Sequence, residues 1–231
     1  MIIHGLQKTT LLDYPGHVAS TIFFGGCNFR CPFCHNMNLV LNSAEEPVIS
    51  EEELFDHLNS RRGILDGVCI TGGEPTLQKD LVSFIDRIKA LDYLVKLDTN
   101  GTNPAVIEEL LSRNLIDYIA MDIKSSPEEY ASVCGLDTID FAPIRESISI
   151  LKEGRVDYEF RTTMIKEYHN ENVVRSIASL IDGAKAYYLQ SFVDSDFVPN
   201  HNLHPLTKEE LLEYTEILKP HVKTVAIRGV D

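Results

Sequence analysis

Short apolar runs alternate along this chain with longer segments whose apolar residues recur every three or four positions. The short runs have strand length and are rich in β-branched and aromatic residues, whereas the longer segments have the helical period. The pattern predicts strands over residues 18–24, 67–71, 94–99, 118–123, 157–162, 186–190 and 222–227. It predicts helices over residues 51–62, 79–91, 105–113, 127–133, 144–153, 171–181 and 208–219.

Polar residues mark several of the predicted helix starts. Ser50-x-x-Glu53 and Thr207-x-x-Glu210 have the spacing of capping boxes, and Asn103-Pro104 is a further start signal. Strands that alternate with helices require right-handed crossovers and a parallel sheet. The pattern alone fits a doubly wound sheet and a barrel equally well.

The composition favours one compact domain over residues 1–231, because 231 residues of which 44% are hydrophobic can bury a substantial core. Only 21 basic residues oppose 35 acidic ones, and the net charge of −14 argues against nucleic-acid binding. No membrane span or signal peptide is visible in the sequence. We therefore expect a cytoplasmic protein with reduced thiols.

Three cysteines follow the first predicted strand in the spacing Cys27-x3-Cys31-x2-Cys34. Three thiolates on one loop can hold three corners of a [4Fe-4S] cluster and leave the fourth iron open for another ligand. A zinc site is the alternative, but it would need His35, directly after Cys34, as its fourth ligand. Cys69 and Cys134 have no Cys-x2-Cys partner, and we interpret both as small buried hydrophobes.

Further polar residues lie where predicted strands end, which is where chemistry gathers in parallel α/β folds. Gly72-Gly73-Glu74 follows the second strand, and its glycines allow a close backbone approach to a ligand. Asp98, Asp122 and Lys124 stand at the ends of the third and fourth strands, either as ligand-binding groups or as a buried ion-pair network. Arg161 ends the fifth strand, where it either pairs with Glu159 or contacts a cofactor.

The cysteine loop resembles the signature of radical S-adenosylmethionine (SAM) enzymes, with the aromatic Phe33 before the last cysteine. Residues 25–28 and 34–36 are similar to the activating enzymes of glycyl-radical enzymes. Residues 8–16, 71–78 and 98–101 are most similar to activators of anaerobic ribonucleoside-triphosphate reductase. The resemblance runs from about residue 8 to residue 190 and implies an incomplete (β/α)6 barrel with parallel strands.

The resemblance also implies roles for the residues at the strand ends. Gly72, Gly73 and Glu74 would bind the amino group of SAM, and Phe33 would border its adenine. Arg161 would contact the SAM carboxylate or ribose. A monovalent cation would lie near the SAM carboxylate, with Lys124 close by, and its ligands would be Asp98, Thr99, Asp122 and the carbonyl of Ala120.

The implied reaction begins with a cluster reduced by flavodoxin or ferredoxin. SAM is cleaved to methionine and a 5′-deoxyadenosyl radical, which takes a hydrogen atom from a glycine of a partner enzyme. Residues 171–231 extend beyond the better-known reductase activators, which leaves three alternatives open: a pyruvate formate-lyase-type activator, a radical SAM enzyme of small molecules and a noncatalytic iron–sulfur electron carrier. The irregular segment 192–205, which contains His201 and His204, is predicted to cover the barrel mouth.

Overall fold

Eight strands, each hydrogen-bonded to the next in chain order, form one curved sheet in the computed structural model, which describes residues 1–42 and 44–230. The strands are β1 Ile3–Thr10, β2 Ala19–Phe24, β3 Gly67–Gly72, β4 Leu94–Thr99, β5 Tyr118–Asp122, β6 Asp157–Met164, β7 Ala184–Ser191 and β8 Val222–Arg228. Strand β1 is antiparallel to β2, and every later pair is parallel. The last residue of the predicted domain, Asp231, lies outside the described residues.

Helices connect the parallel strands and cover the outer face of the sheet. They are α1 Met37–Leu41, α2 Glu51–Ser60, α3 Leu81–Lys89, α4 Pro104–Ser112, α5 Tyr130–Val133, α6 Ala142–Lys152, α7 Glu171–Leu180 and α8 Lys208–Leu218. A single 3-10 turn, Pro75–Leu77, precedes α3. Within the described residues, no helix is long and apolar enough to cross a membrane.

The predicted fold class is confirmed: the chain is an α/β protein with a parallel, unclosed sheet. β1 and β8 are the two ends of the strand order. All seven predicted strands are present, so seven strands run parallel where a (β/α)6 barrel has six. β1 was not predicted, because its sequence IHGLQKTT buries only its first and last residues and lacks an apolar run.

Strand alternation separates the two faces of the sheet. In β4, Val95 and Leu97 are fully buried in the apolar core under the helices, whereas Lys96 and Asp98 take the opposite, inner face. The same alternation turns Asp122 and Arg161 inward on β5 and β6, where they meet Asp98. The interior of the open barrel is therefore polar and the outer layer is apolar.

All three helix-start signals precede helices, but only one of the two predicted capping boxes is complete. Ser50 caps α2 by accepting a hydrogen bond from the Glu53 amide (3.0 Å), and Thr207 with Glu210 forms a complete capping box on α8. Asn103 precedes α4 but makes no side-chain cap. The predicted helix over 127–133 was too long, since only Tyr130–Val133 is helical, and the short α1 was not predicted.

A buried ion pair ties the last strand to the interior. Glu159 is fully buried and accepts two hydrogen bonds from the Arg228 guanidinium and one from Tyr118 Oη (2.6 Å). The guanidinium of Arg228 also stacks 3.4 Å from the centroid of the Tyr188 ring. Because β8 has a strand neighbour on one side only, these contacts supplement its pairing with β7.

We expect Glu159→Ala to lower the free energy of unfolding by about 3 kcal/mol, because it leaves buried groups without their charged partner. Denaturant unfolding followed by circular dichroism measures this loss. Glu171→Ala, which breaks the exposed pair with Arg175, is the control and should cost no more than about 0.5 kcal/mol. Equal losses in the two variants would show that the Glu159 pair does not anchor β8.

Candidate active site

The cysteine loop is an irregular segment between β2 and α1 that other parts of the chain hold in place. The amide of Gly26 donates to the Leu39 carbonyl (2.8 Å), and the amide of Arg30 donates to the Cys134 carbonyl (2.8 Å). The side chain of Asn28 accepts a hydrogen bond from Asn100 Nδ2 (2.8 Å). The loop is thus fixed by groups from the β4 and β5 units of the barrel.

The three predicted cluster cysteines all line one cleft. Cys31 is buried, and Cys27 and Cys34 are partly exposed. Burial raises the pKa of Cys27 to about 11 and also raises the pKa of Cys34, whereas a hydrogen bond from the Cys134 thiol lowers the pKa of Cys31. The thiolate that iron binding requires therefore forms most readily at Cys31.

The ring of His35 also lines the cleft, but one of its nitrogens is engaged by another part of the chain. Its Nε2 lies 2.7 Å from the carbonyl oxygen of Val193, in the loop after β7. In residues 1–42 and 44–230, no three His, Cys, Asp or Glu side chains are grouped to hold a single metal ion. The arrangement therefore disfavours the zinc alternative.

The cleft has a volume of about 450 Å3 and opens at the carboxyl ends of the parallel strands. Its lining includes nearly all the predicted site residues: Cys27, Cys31, Phe33, Cys34, Gly72, Gly73, Glu74, Asp98, Thr99, Asp122, Lys124 and Arg161. Ala120 is fully buried in β5 and does not line the cleft. One concave site thus collects residues from five consecutive strand ends.

The glycine turn after β3 packs on the chain leading into the cysteine loop. A Cβ at Gly72 would lie 2.3 Å from the backbone of Phe24, and one at Gly73 would lie 1.9 Å from the Gly26 carbonyl oxygen. The amide of Gly73 donates to the Phe24 carbonyl (2.7 Å), and the amide of Glu74 donates to that of Gly26 (2.8 Å). The close approach that the glycines allow is therefore made to the protein's own backbone, where the sequence suggested an approach to a ligand.

Glu74 joins the glycine turn to the end of β4. Its carboxylate is 1% exposed and accepts hydrogen bonds from Thr76, from Thr99 Oγ1 (2.8 Å) and from the Asn100 amide (2.7 Å). Burial raises the pKa of this carboxyl, although the hydrogen bonds favour its ionised form. Glu74 therefore acts first as a clamp between two strand ends.

Five charged side chains form a ladder across the inner face of the barrel. Arg161 Nε donates to Asp122 Oδ1 (2.6 Å), and its Nη2 donates to Asp98 Oδ2 (3.1 Å). Lys124 Nζ binds Asp122 Oδ2 (2.8 Å), and Lys96 Nζ binds Asp98 Oδ1. Three basic and two acidic groups give the ladder one surplus positive charge (3 − 2 = 1).

The ladder keeps its members ionised despite burial. Burial by itself would raise the pKa of Asp122, but the Arg161 guanidinium outweighs it and lowers that pKa below its usual value. Burial would likewise lower the pKa of Lys124, but the Asp122 carboxylate raises it above the usual value. The buried ion-pair network that the sequence left open is therefore present, and it faces the cleft.

This arrangement bears on one alternative and one expectation from the sequence. Arg161 does not bond to Glu159, whose carboxylate is taken by Arg228 and Tyr118. The side chains predicted to bind a monovalent cation are also occupied. Each carboxylate oxygen of Asp98 and Asp122 contacts a basic group, and Thr99 Oγ1 donates to Glu74. These side chains do not fit a bound cation.

Lys124 and Phe33 form one corner of the cleft. The ammonium of Lys124 lies 5.9 Å from the centroid of the Phe33 ring, which packs against Tyr168. The backbone of Lys124 is held on both sides, since its carbonyl accepts a hydrogen bond from His169 Nε2 (2.9 Å) and its amide donates to Tyr130 Oη (3.2 Å). Burial lowers the pKa of His169, which keeps this ring neutral.

The remaining sequence expectations concern two cysteines and a loop. Cys69 and Cys134 are fully buried, as expected of small hydrophobes, although Cys134 also supports the cysteine loop. The segment 192–205 packs beside the cysteine loop, where the amide of Asn200 donates to the Pro32 carbonyl (3.2 Å). Its residues are not part of the cleft lining, so a cover over the barrel mouth remains a prediction.

Sequence reasoning missed several residues of the site. Asp13, Asn100, Thr163 and Gln190 line the cleft, and Lys96 stands directly behind Asp98. Lys96 could have been predicted from the sequence, because a strand residue two positions before Asp98 lies on the same face of the sheet. Asp13 had none, since the loop after β1 reaches the cleft only through the tertiary fold.

A family comparison decides how this cleft is classified. Residues 21–180 match the sequence profile of the family described as the radical SAM superfamily. The chain belongs to that superfamily. The matched region includes the cysteine loop, the glycine turn and the whole charge ladder.

Two relatives and one solved structure show which radical SAM proteins this chain is similar to. A Methanocaldococcus jannaschii protein with the provisional name glycyl-radical enzyme activating enzyme is 35% identical over 100% of this chain and 97% of its own length. The pyruvate formate-lyase-activating enzyme of Listeria monocytogenes is 31% identical over 71% of this chain and 68% of its own. Streptococcus suis SuiB bound to S-adenosylmethionine matches the fold with a TM-score of 0.68, 12% identity, 90% of this chain and 52% of SuiB.

The residues present fit the cluster that this superfamily implies. Three thiols face one cleft, and among the described residues the other cysteines, Cys69 and Cys134, do not line it. A [4Fe-4S] cluster held at three corners has one iron free for SAM, which is the other group the superfamily implies. Arg161 and Lys124 place basic groups on a cleft wall that also carries Asp13 and Glu74, and these basic groups suit a ligand that carries a carboxylate.

We expect protein reconstituted without oxygen to hold about four irons on Cys27, Cys31 and Cys34, and Cys→Ala at any of the three to abolish the cluster. Iron analysis and the thiolate-to-iron absorbance at about 400 nm measure whether the cluster is present. Cys69→Ala and Cys134→Ala should keep the cluster, and Cys69→Ala is the cleaner control, because the Cys134 thiol also donates a hydrogen bond to Cys31. Stoichiometric zinc without that absorbance would contradict the assignment.

Proposed function

We propose that this protein generates a glycyl radical on a partner enzyme, and that the partner is an anaerobic ribonucleoside-triphosphate reductase. The observation that carries the proposal is the joining of the three-cysteine loop and the glycine turn in one cleft, in a chain that aligns over its full length with a relative named as a glycyl-radical enzyme activator. The similarity of residues 8–16, 71–78 and 98–101 to reductase activators supports the choice of partner.

Each part of the cleft has a role in this proposal. When bound, the cluster and SAM together supply a one-electron cleavage whose radical product removes a hydrogen atom from the partner's glycine. Cys27, Cys31 and Cys34 hold the cluster. The turn over residues 72–74 holds the SAM amino group, and Phe33 borders the adenine.

The charge ladder orients the other end of SAM. Arg161 and Lys124 provide positive charge on the cleft wall toward a carboxylate, and both are kept in position by Asp122. The groups are paired before any ligand binds, so the site needs little reorganisation when SAM enters. The clamp by Glu74 keeps the glycine turn close to Thr99 and Asn100.

The open side of the barrel suits a macromolecular substrate. The sheet does not close, so the cleft can be reached by a protein segment as well as by a small molecule. A flavodoxin or ferredoxin is the proposed electron donor for the cluster. A noncatalytic electron carrier has no use for a polar cleft of about 450 Å3 beside its cluster, which argues against that alternative.

We expect Glu74→Ala to weaken SAM binding by about 1–3 kcal/mol, because the turn loses its clamp and its charged acceptor. Anaerobic calorimetry on the cluster-loaded protein measures the affinity, and iron content shows whether the cluster is retained. Glu52→Ala on the exposed face of α2 is the matched control and should bind SAM normally. Unchanged affinity in Glu74→Ala would reduce residues 72–74 to an ordinary turn.

The target is tested by adding candidate partners to the reduced protein under strict anaerobiosis. With the reductase, we expect a glycyl-radical doublet in electron paramagnetic resonance, one 5′-deoxyadenosine per radical, and transfer of deuterium from α-deuterated glycine into that product. A doublet on pyruvate formate-lyase alone would favour the second candidate function, which the Listeria relative supports. Rapid turnover of a small metabolite without a protein radical would overturn the activase proposal.

A further inference from the structure

Lys96 is a buried basic residue that lies behind the cleft wall and does not line the cleft. Its side chain is 2% exposed in the middle of β4, its ammonium binds Asp98 Oδ1, and the same nitrogen lies 3.6 Å from the thiol sulfur of Cys69. It does not line the cleft, so it acts on the cleft only through Asp98. Burying an ammonium is costly unless its partner requires it.

Asp98 shows what that requirement is. Its second oxygen already binds Arg161, which is shared with Asp122. Without Lys96, two aspartates and two basic groups would remain, and the surplus positive charge of the ladder would disappear. Asp13 and Glu74 also line the cleft, so loss of Lys96 would leave its acidic groups less compensated and a carboxylate ligand would meet a more negative wall.

We propose that the Lys96 ammonium takes the place of a bound monovalent cation in this protein, and that it makes SAM binding independent of potassium and sodium ions. This inference rests on the assignment of the cleft as the SAM site. Lys96 is a positioning residue, because it holds Asp98 and completes the charge of the ladder without touching the ligand.

Lys96 and Arg161 hold the two oxygens of Asp98 that a metal cation would otherwise bind. The carboxylate oxygens of Asp98 and Asp122 are all paired with basic groups, and Thr99 Oγ1 donates its hydrogen to Glu74. A metal cation would have to displace a basic side chain from Asp98. Removal of Lys96 frees Asp98 Oδ1 and leaves a space behind it, so a potassium ion can then serve as a substitute.

The test measures SAM affinity of the cluster-loaded protein by anaerobic calorimetry in potassium chloride and in choline chloride at equal ionic strength. Choline is too large to enter the ladder and supplies the same bulk screening. For the natural protein we expect the two dissociation constants to agree within about twofold. For Lys96→Met, which keeps the side chain as far as Cε but removes the ammonium and leaves the space it fills empty, we expect affinity about tenfold weaker in choline and largely restored by potassium.

Thermal unfolding gives an independent readout. Potassium should raise the midpoint of Lys96→Met above its value in choline, because binding of a cation to the folded state stabilises it, whereas the natural protein should show equal midpoints. Lys223→Met, at an exposed position of β8, is the control and should behave as the natural protein in both salts.

Two results would contradict this inference. Potassium dependence of the natural protein would overturn it, and so would a Lys96→Met variant that binds SAM equally well in both salts. If Lys96→Met fails to fold, the comparison of the two salts in the natural protein decides the question. A failure to form a radical on the reductase changes only the proposed partner, because SAM affinity is measured without it.

Discussion

Charges turned into the interior of a parallel sheet must be paired, and this constraint shapes the whole site. The strand period of two places Asp98, Asp122 and Arg161 on the inner face of three neighbouring strands. Isolated, each would be costly to bury; joined through the bridging guanidinium, they remain ionised inside the barrel. The pairing also holds each of these side chains in one conformation. The contacts that offset the cost of burying the charges therefore also fix the shape of the cleft wall.

The cysteine loop depends on that organised wall because it has little regular structure of its own. The Gly73 contact fixes the chain at its entrance, Asn100 holds its first turn and the Cys134 carbonyl holds its middle. These supports come from three different strand-to-helix connections. They meet at the loop because the carboxyl ends of parallel strands share one edge of the sheet. A substitution in one of these connections is therefore expected to displace the cysteine loop without changing Cys27, Cys31 or Cys34.

Much of this site was predictable from the sequence, for identifiable reasons. The spacing of Cys27, Cys31 and Cys34 defines a three-thiolate loop regardless of the fold around it, and the apolar runs locate seven strands. The predictions failed where two residues distant in sequence compete for one partner. The sequence pattern suggested a pair between Arg161 and Glu159, because the two residues lie on the same strand face. In the fold, Glu159 is bound by Arg228 instead. No local pattern reveals a pairing across 69 residues.

The sequence by itself determined the chemistry and the order of the elements, because thiol spacing and hydrophobic period are local properties of the chain. Only the tertiary structure decided which charges meet. It placed the Lys96 ammonium against Asp98 and brought the Glu74 carboxylate into hydrogen-bond contact with Thr99. It also packed the Cα of Gly73, which carries no side chain, against the backbone of the cysteine loop. The physical reason is that strand curvature and helix packing set distances between side chains, and electrostatic energy depends on those distances and not on position along the chain.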